Sequence, residues 1–471
     1  MTAYWCELAW LGGDTAQRGV VIDVEGERIT SVTSGSPAPP SGAVRLDGLT
    51  LPGLANAHSH AFQRALRGRT QQGTGSFWTW REQMYRAAER IDPDTYLALA
   101  RATYAEMALA GVTAVGEFHY LHHGPDGTPY DDPNAMGHAL IQAAAEAGIR
   151  ITLIDACYLH GGIGKRPEGA QVRFADRNAE EWAERASALA EAVAGQGDGS
   201  ARVGSARFGS GLADSAAPGP AGARIGAAIH SIRAVDPDSA RAVASWAREG
   251  GRPLHAHVSE QPAENRDCLD AYGRTPTGML ADAGALDGDF TAVHATHMTE
   301  ADIGLLGGAG ACCCICPTTE RDLADGIGAM RQLVEAGASL SLGSDSHAVI
   351  DMFEEARAVE LDERLASGER GRHRAVELLH AAAGGGHACL GWADAGRIEP
   401  GARADLVTVG LDSVRLAGTD SETALESVVF AATAADVRHV LVDGNEVVRE
   451  GRHAAIDVPR ELDEAIRAVM G

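Results

Sequence analysis

The stretch LPGLANAHSH, residues 51–60, is an apolar run that ends on two histidines one residue apart. On an extended segment, side chains at i and i+2 point the same way, so His58 and His60 are placed to hold one ligand between them. An isolated H-x-H is a weak signal. Its weight comes from three further stretches built the same way: PLHAHVSE (253–260) with His257 and Glu260, TAVHATH (291–297) with His294, and LSLGSDSH (340–347) with Asp345. Each ends an apolar, strand-like run, so four imidazoles and two carboxylates are brought to one rim of a sheet. That set suits a metal bearing a reactive water.

Working outward from these runs, eight strand-like segments fall near 51–57, 112–118, 150–158, 224–230, 253–258, 290–295, 311–316 and 339–344, with helical stretches between them. Asp92-Pro93 opens one helix that Gly111 ends, and Asp236-Pro237 opens another that closes at Gly250-Gly251. Eight β/α units predict a (β/α)8 TIM-like barrel, an α/β fold. The two ends of the chain read as β: a hairpin around Glu25-Gly26-Glu27 at one, and a turn at Asp443-Gly444 at the other. Lone hairpins are marginal in water, so the ends are expected to pair into one small discontinuous β-sandwich domain. The expected division is 1–50 and 397–471 for that domain and 51–396 for the barrel. Gly- and Ala-rich sequence at 194–223 reads as a long loop.

Composition bounds the function. The chain has 471 residues, 45% of them hydrophobic, and a net charge of −25 with acidic and basic residues mixed along it. This excludes a polyanion-binding design, so neither nucleic acid nor an anionic membrane is an expected partner. The N-terminus MTAYWCELAWLGGD lacks the basic start and apolar stretch of a signal peptide, and no run reaches spanning length, which predicts a cytoplasmic protein. Of eight cysteines, Cys312, Cys313, Cys314 and Cys316 crowd into one strand-like run. Alternation of faces makes disulfides among them awkward, and reduced, buried thiols are expected. A zinc knuckle would need paired C-x-x-C spacing that the run does not have.

In a (β/α)8 barrel the active site lies at the C-terminal rim of the strands, where the histidines and Asp345 fall. His58, His60, His257 and Asp345 offer three nitrogens and an oxygen, leaving a position open as catalytic zinc requires. A bound metal lowers the pKa of water toward neutrality. Glu260 is placed to shuttle a proton to a leaving group, and His294 and Asp345 to orient or deprotonate the water. Any one of these residues alone reads more simply as a core histidine or a loop carboxylate. Together, and in this order, they read as a catalytic site.

The whole pattern resembles the amidohydrolase superfamily, in its mononuclear aminohydrolase branch. Local stretches are similar to the formimidoylglutamate deiminases of histidine breakdown: HSHAFQRALRG (58–68), FWTWREQMYR (77–86), EFHYLHH (117–123), AIHSIRAV (228–235) and CPTTERDLADG (316–326). The resemblance implies hydrolysis of N-formimino-L-glutamate to N-formyl-L-glutamate and ammonia, with Gln63, Arg81, Tyr120, His230 and Arg233 holding the substrate. The arginines have a physical rationale. The substrate is a dicarboxylate, the net charge of the chain repels it, and salt screens that repulsion beyond about 8 Å, so short-range cations must dominate. A guanidinium matches a carboxylate with two parallel hydrogen bonds.

Two-metal versions of such barrels need a carbamate-modified lysine on the fourth strand. The only lysine here is Lys165, in the loop after the third, so one divalent metal is expected. Zinc is the choice, although iron and manganese accept the same ligands. A homodimer is the expected assembly. Two alternatives are a deaminase of the same superfamily acting on a purine, pterin or similar ring, and a non-catalytic barrel scaffold. The ring would need aromatic walls and amide-type contacts rather than carboxylate forks. A scaffold would lack metal ligands that this sequence retains.

Overall fold

Two eight-stranded sheets organise the chain, seen in a computed structural model that describes residues 1–72, 75, 77–196 and 222–471. The first is built from both termini: β1 (Thr2–Ala9), β2 (Gln17–Glu25), β3 (Arg28–Thr33) and β4 (Val44–Pro52) from the start of the chain. The barrel strands follow: β5 (Leu54–Ser59), β6 (Val112–His119), β7 (Arg150–Cys157), β8 (Ala223–Ile229), β9 (Leu254–Val258), β10 (Phe290–His294), β11 (Cys312–Ile315) and β12 (Ser339–Leu342). The terminal sheet is completed by β13 (Leu406–Val409), β14 (Val437–Val442), β15 (Asn445–Arg449) and β16 (Arg452–His453). Its order is β16-β15-β14-β13-β4-β1-β2-β3, hydrogen-bonded as one continuous sheet that is antiparallel except where β1 pairs with β4.

Strands β5 to β12 pair in sequence order, every pair parallel, as eight β/α units dictate. The seam between first and last is closed by a parallel bridge of Ser59 with Asp345: the Asp345 N–H donates to the His58 carbonyl at 3.0 Å and the His60 N–H to the Asp345 carbonyl at 3.1 Å. Below it, Asn56 and Ser344 bond reciprocally, at 2.7 and 2.9 Å. Every residue of β6, β7, β9 and β10 is buried, because a parallel sheet closed on itself is covered on both faces.

The helix signals act as read. Asp92 caps Pro93–Leu109 by accepting from the Thr95 N–H at 2.8 Å, and Asp236 caps Pro237–Glu249 by accepting from Asp238 and Ser239. The sequence expected as a long loop at 194–223 is helical as far as Gln196 and enters β8 at Ala223, and what lies between falls outside the described residues. The cysteine run is β11 and its end, buried, with all four thiols free. Arg150 at the start of β7 ties the barrel to the terminal sheet. It is fully buried, donates to both oxygens of Asp405, and reaches Asp443 at 3.1 Å.

Candidate active site

The close of the barrel is also where its polar residues meet. His58 and His60 leave β5 on the same side, and Asp345 Oδ1 lies 3.3 Å from the Nε2 of each. His257 arrives from β9 with its Nε2 3.2 Å from that of His58. Behind them, His60 Nδ1 bonds the Phe118 carbonyl at 2.9 Å and His257 Nδ1 the His230 carbonyl at 2.8 Å. A carbonyl accepts only, so both rings carry their proton on Nδ1 and aim the Nε2 lone pair inward. Burial pushes the His58 pKa down to about 3 and that of His257 well below the ordinary range. Burial disfavours the Asp345 carboxylate, but the neighbouring imidazoles outweigh it and hold Asp345 well below the usual carboxylate range. Neutral nitrogens 3.2 Å apart beside an ionised carboxylate form a donor set that a divalent cation satisfies. His58, His60 and His257 form one group with ligand atoms within 4.8 Å of one another, and His58, His294 and Asp345 form a second.

The backbone that presents these side chains is strained at the strand ends. Ser259, His294 and Asp345 have φ of 53°, 68° and 41°, a left-handed region that few non-glycine residues adopt and that gathers at functional sites. Gly343 is required by close approach: a Cβ there would sit 2.7 Å from His58 Cβ and 2.9 Å from Cys316 Sγ. Glu117 braces the H-x-H turn, accepting from Ser59 Oγ at 2.5 Å and the Ala61 N–H at 2.7 Å.

A cavity of about 540 Å³ opens on this cluster, and His60, His257, Glu260, His294 and Asp345 line it together with Gln63, Arg81, Tyr120, His230 and Arg233. His58 lies behind them, fully buried. Gln63 donates to the Tyr120 hydroxyl at 2.9 Å, Arg233 approaches Glu260 at 3.4 Å, and Arg81 stacks over Tyr85 with 5.5 Å to the ring centre. Residues from distant segments of the chain thus line one cavity.

Several neighbours were not legible beforehand. Glu320, inside the quoted CPTTERDLADG, holds His294 Nδ1 at 3.4 Å and accepts from the Cys316 N–H at 3.0 Å. Burial disfavours charge on His294, yet Glu320, Glu260 and Asp345 prevail and raise its pKa to about 10. Tyr158 and Gln171, bonded at 3.0 Å, line the same cavity. Of these, only Glu320 falls in a stretch singled out by the sequence, and no motif marks Tyr158 or Gln171. A second histidine cluster, His119, His122 and Asp155, is a different object. Arg185 spans both Asp155 oxygens at 2.8 and 2.9 Å, and both His122 nitrogens are engaged, so this is a neutralised hydrogen-bond network.

Comparison with known proteins fits this geometry. The sequence model of the Amidohydrolase family matches residues 49–447, which takes in every barrel strand. The chain belongs to the amidohydrolase family. This amidohydrolase is 36% identical to the formimidoylglutamate deiminase of Pseudomonas aeruginosa over 423 residues, 88% of this chain and 87% of that one. It is 29% identical to a 5-methylthioadenosine/S-adenosylhomocysteine deaminase of Natronomonas pharaonis, covering 89% of this chain and 86% of the relative. Among solved structures it superposes on an amidohydrolase from Brucella melitensis with a TM-score of 0.88, at 31% identity and full coverage of both chains. The fold is shared with a zinc-bound adenosine deaminase from Xanthomonas campestris, TM-score 0.81 at 22% identity, covering 99% of this chain and 97% of that one. The protein is therefore a metal-dependent hydrolase of C–N bonds acting on a small molecule. No helix among the described residues is long and apolar enough to cross a membrane.

Proposed function

We propose that this amidohydrolase deiminates N-formimino-L-glutamate, giving N-formyl-L-glutamate and ammonia. The observation that carries the reading is that two guanidinium groups, Arg81 and Arg233, line the same cavity as the histidine–aspartate cluster. A linear dicarboxylate bearing a reactive C=N bond needs that combination. The resemblance to a formimidoylglutamate deiminase over most of both chains supports it.

The residues that would hold the metal are His58, His60, His257 and Asp345, in a mononuclear site, with zinc as the ion. When bound, the ion acidifies water and polarises the C=N bond. Gln63, Tyr120 and His230 would orient the formimino end, and Arg81 and Arg233 the carboxylates. Asp345 Oδ accepts a proton from the attacking water while His294, anchored by Glu320, orients it. Glu260 then delivers protons to the departing nitrogen, and its choice of nitrogen decides that ammonia leaves.

A second reading has its own support: Tyr120, Tyr158 and Phe174 also line the cavity, and an aromatic wall suits a heterocycle. One experiment separates the two, ammonia release from N-formimino-L-glutamate set beside N-formimino-L-aspartate and a panel of purines and pterins. Release from a ring compound alone would overturn the proposal. Glu260→Gln should lose most turnover with metal content unchanged, and near-normal turnover would remove Glu260 from the mechanism.

A further inference from the structure

Glu264 is 1% exposed, in the first turn of the helix Pro262–Tyr272 directly behind the cavity wall. Its Oε2 accepts the backbone N–H of Glu260 at 3.3 Å, while its Oε1 has no hydrogen-bond partner. Two charged side chains face it from other elements: Arg233, after β8, and Glu260, after β9. His294 at the end of β10 and Cys268 on its own helix are further titratable groups coupled to it. The Arg233 guanidinium lies 3.4 Å from Glu260, and Glu264 and Glu260 together favour its charged form against the cost of burying it. One guanidinium thus already lies in the field of two carboxylates in a largely buried site.

A third anion changes this balance. When a substrate carboxylate docks on Arg233, three carboxylates share one cation in a buried pocket, and at low dielectric the cheapest relief is to neutralise one of them. The substrate carboxylate is an intrinsically weak base, and Glu260 has the proton transfer to perform. Glu264 is the deepest of the three. Burial already raises its pKa to about 7, with Arg233 the main influence opposing the shift. A docked anion competes for that opposing charge. A protonated Glu264 still accepts the Glu260 N–H through its carbonyl oxygen, so the backbone carrying the shuttle keeps its place.

We infer that Glu264 is a positioning residue that takes up a proton when a dicarboxylate docks on Arg233, so that binding of the anion and neutralisation of Glu264 are one event. The inference rests on the dicarboxylate reading above and adds to it the group that absorbs the incoming charge.

The test is calorimetric binding of N-formyl-L-glutamate, the dianionic product, to the metal-loaded enzyme at pH 8 in two buffers of different ionisation enthalpy. The wild type should take up close to one proton more per ligand than Glu264→Gln. Above pH 7 its Kd should weaken by up to about tenfold per pH unit, while the variant's Kd is flatter by that factor. Other groups that titrate, including a metal-coordinated water, are common to both proteins and cancel in the difference. Equal proton uptake in the two proteins would overturn the inference and leave the dicarboxylate reading intact. Failure of the wild type to bind N-formyl-L-glutamate would overturn that reading and this inference with it. Should the variant not fold, a wild-type Kd that is constant from pH 7 to 9 with no proton uptake overturns the inference by itself.

Discussion

His60 and Asp345 are joined twice. The His60 N–H donates to the Asp345 carbonyl at 3.1 Å, and His60 Nε2 lies 3.3 Å from Asp345 Oδ1. The first contact closes the barrel and the second assembles the donor set, so the closing of the fold and the building of the site are a single act. Because the backbone contact does not use the carboxylate, the two can be separated by mutation.

Asp345→Asn should keep the barrel and lose the site. We expect metal content by elemental analysis to fall and turnover to drop by about 10²–10⁴-fold, with the circular dichroism spectrum unchanged. Full metal occupancy in this variant would show that the carboxylate is not a ligand.

Glu320→Gln removes one of the three carboxylates that raise the His294 pKa, and the one bonded to its ring. Turnover should fall on the order of 10- to 100-fold with metal content preserved, and the His294 ring resonances should titrate at lower pH by NMR. An unshifted titration contradicts the pairing.

Gly343→Ala places a methyl 2.7 Å from His58 Cβ, and neither that atom nor the adjoining backbone can yield cheaply. Destabilisation of about 1–3 kcal/mol is expected, read as a lower urea midpoint, together with weakened metal affinity as His58 is displaced. A variant with both properties unchanged would mean that the seam relaxes freely.

Arg150→Met leaves Asp405 buried without its counter-charge. The loss should be about 3–5 kcal/mol, measured by chemical denaturation. A neutral result would show that the terminal sheet is held by its apolar contacts alone.

His122 and His387 are buried neutral. Burial, aided by Arg185 beside the first and Arg150 beside the second, pushes each pKa down to about 4. In the unfolded chain they titrate near 6.5. Between those values the unfolded state binds more protons, so stability is complete above about pH 6.5 and declines as pH falls toward 4. Melting temperatures at pH 7.5 and pH 5 should show the decline, and His387→Gln should reduce its slope. Equal slopes in the two proteins would remove His387 from the linkage.

The barrel and its histidine-rich rim were legible because both follow from local pattern. Apolar runs of strand length set the eight strands, and H-x-H, H-x-x-E and the Asp of GSD stand at their ends. Asp92, Asp236 and the Asp443-Gly444 turn act through neighbours a few residues away, so sequence reports them well. The network behind the site was not legible. Glu264 and Gln171 are single polar residues whose neighbourhood does not distinguish them from a solvated surface, and Glu320 and Glu117, although inside quoted stretches, carry no local sign of what they bond.

Sequence by itself determined which side chains could meet, through periodicity and the types of residue at the strand ends. Tertiary structure alone decided how they meet. Closing β12 against β5 brings Asp345 onto two imidazoles, and burial then strips water from every charge in the cluster. Protonation and pairing follow from distance and dielectric, which are properties of the folded volume and are written at no one position in the chain.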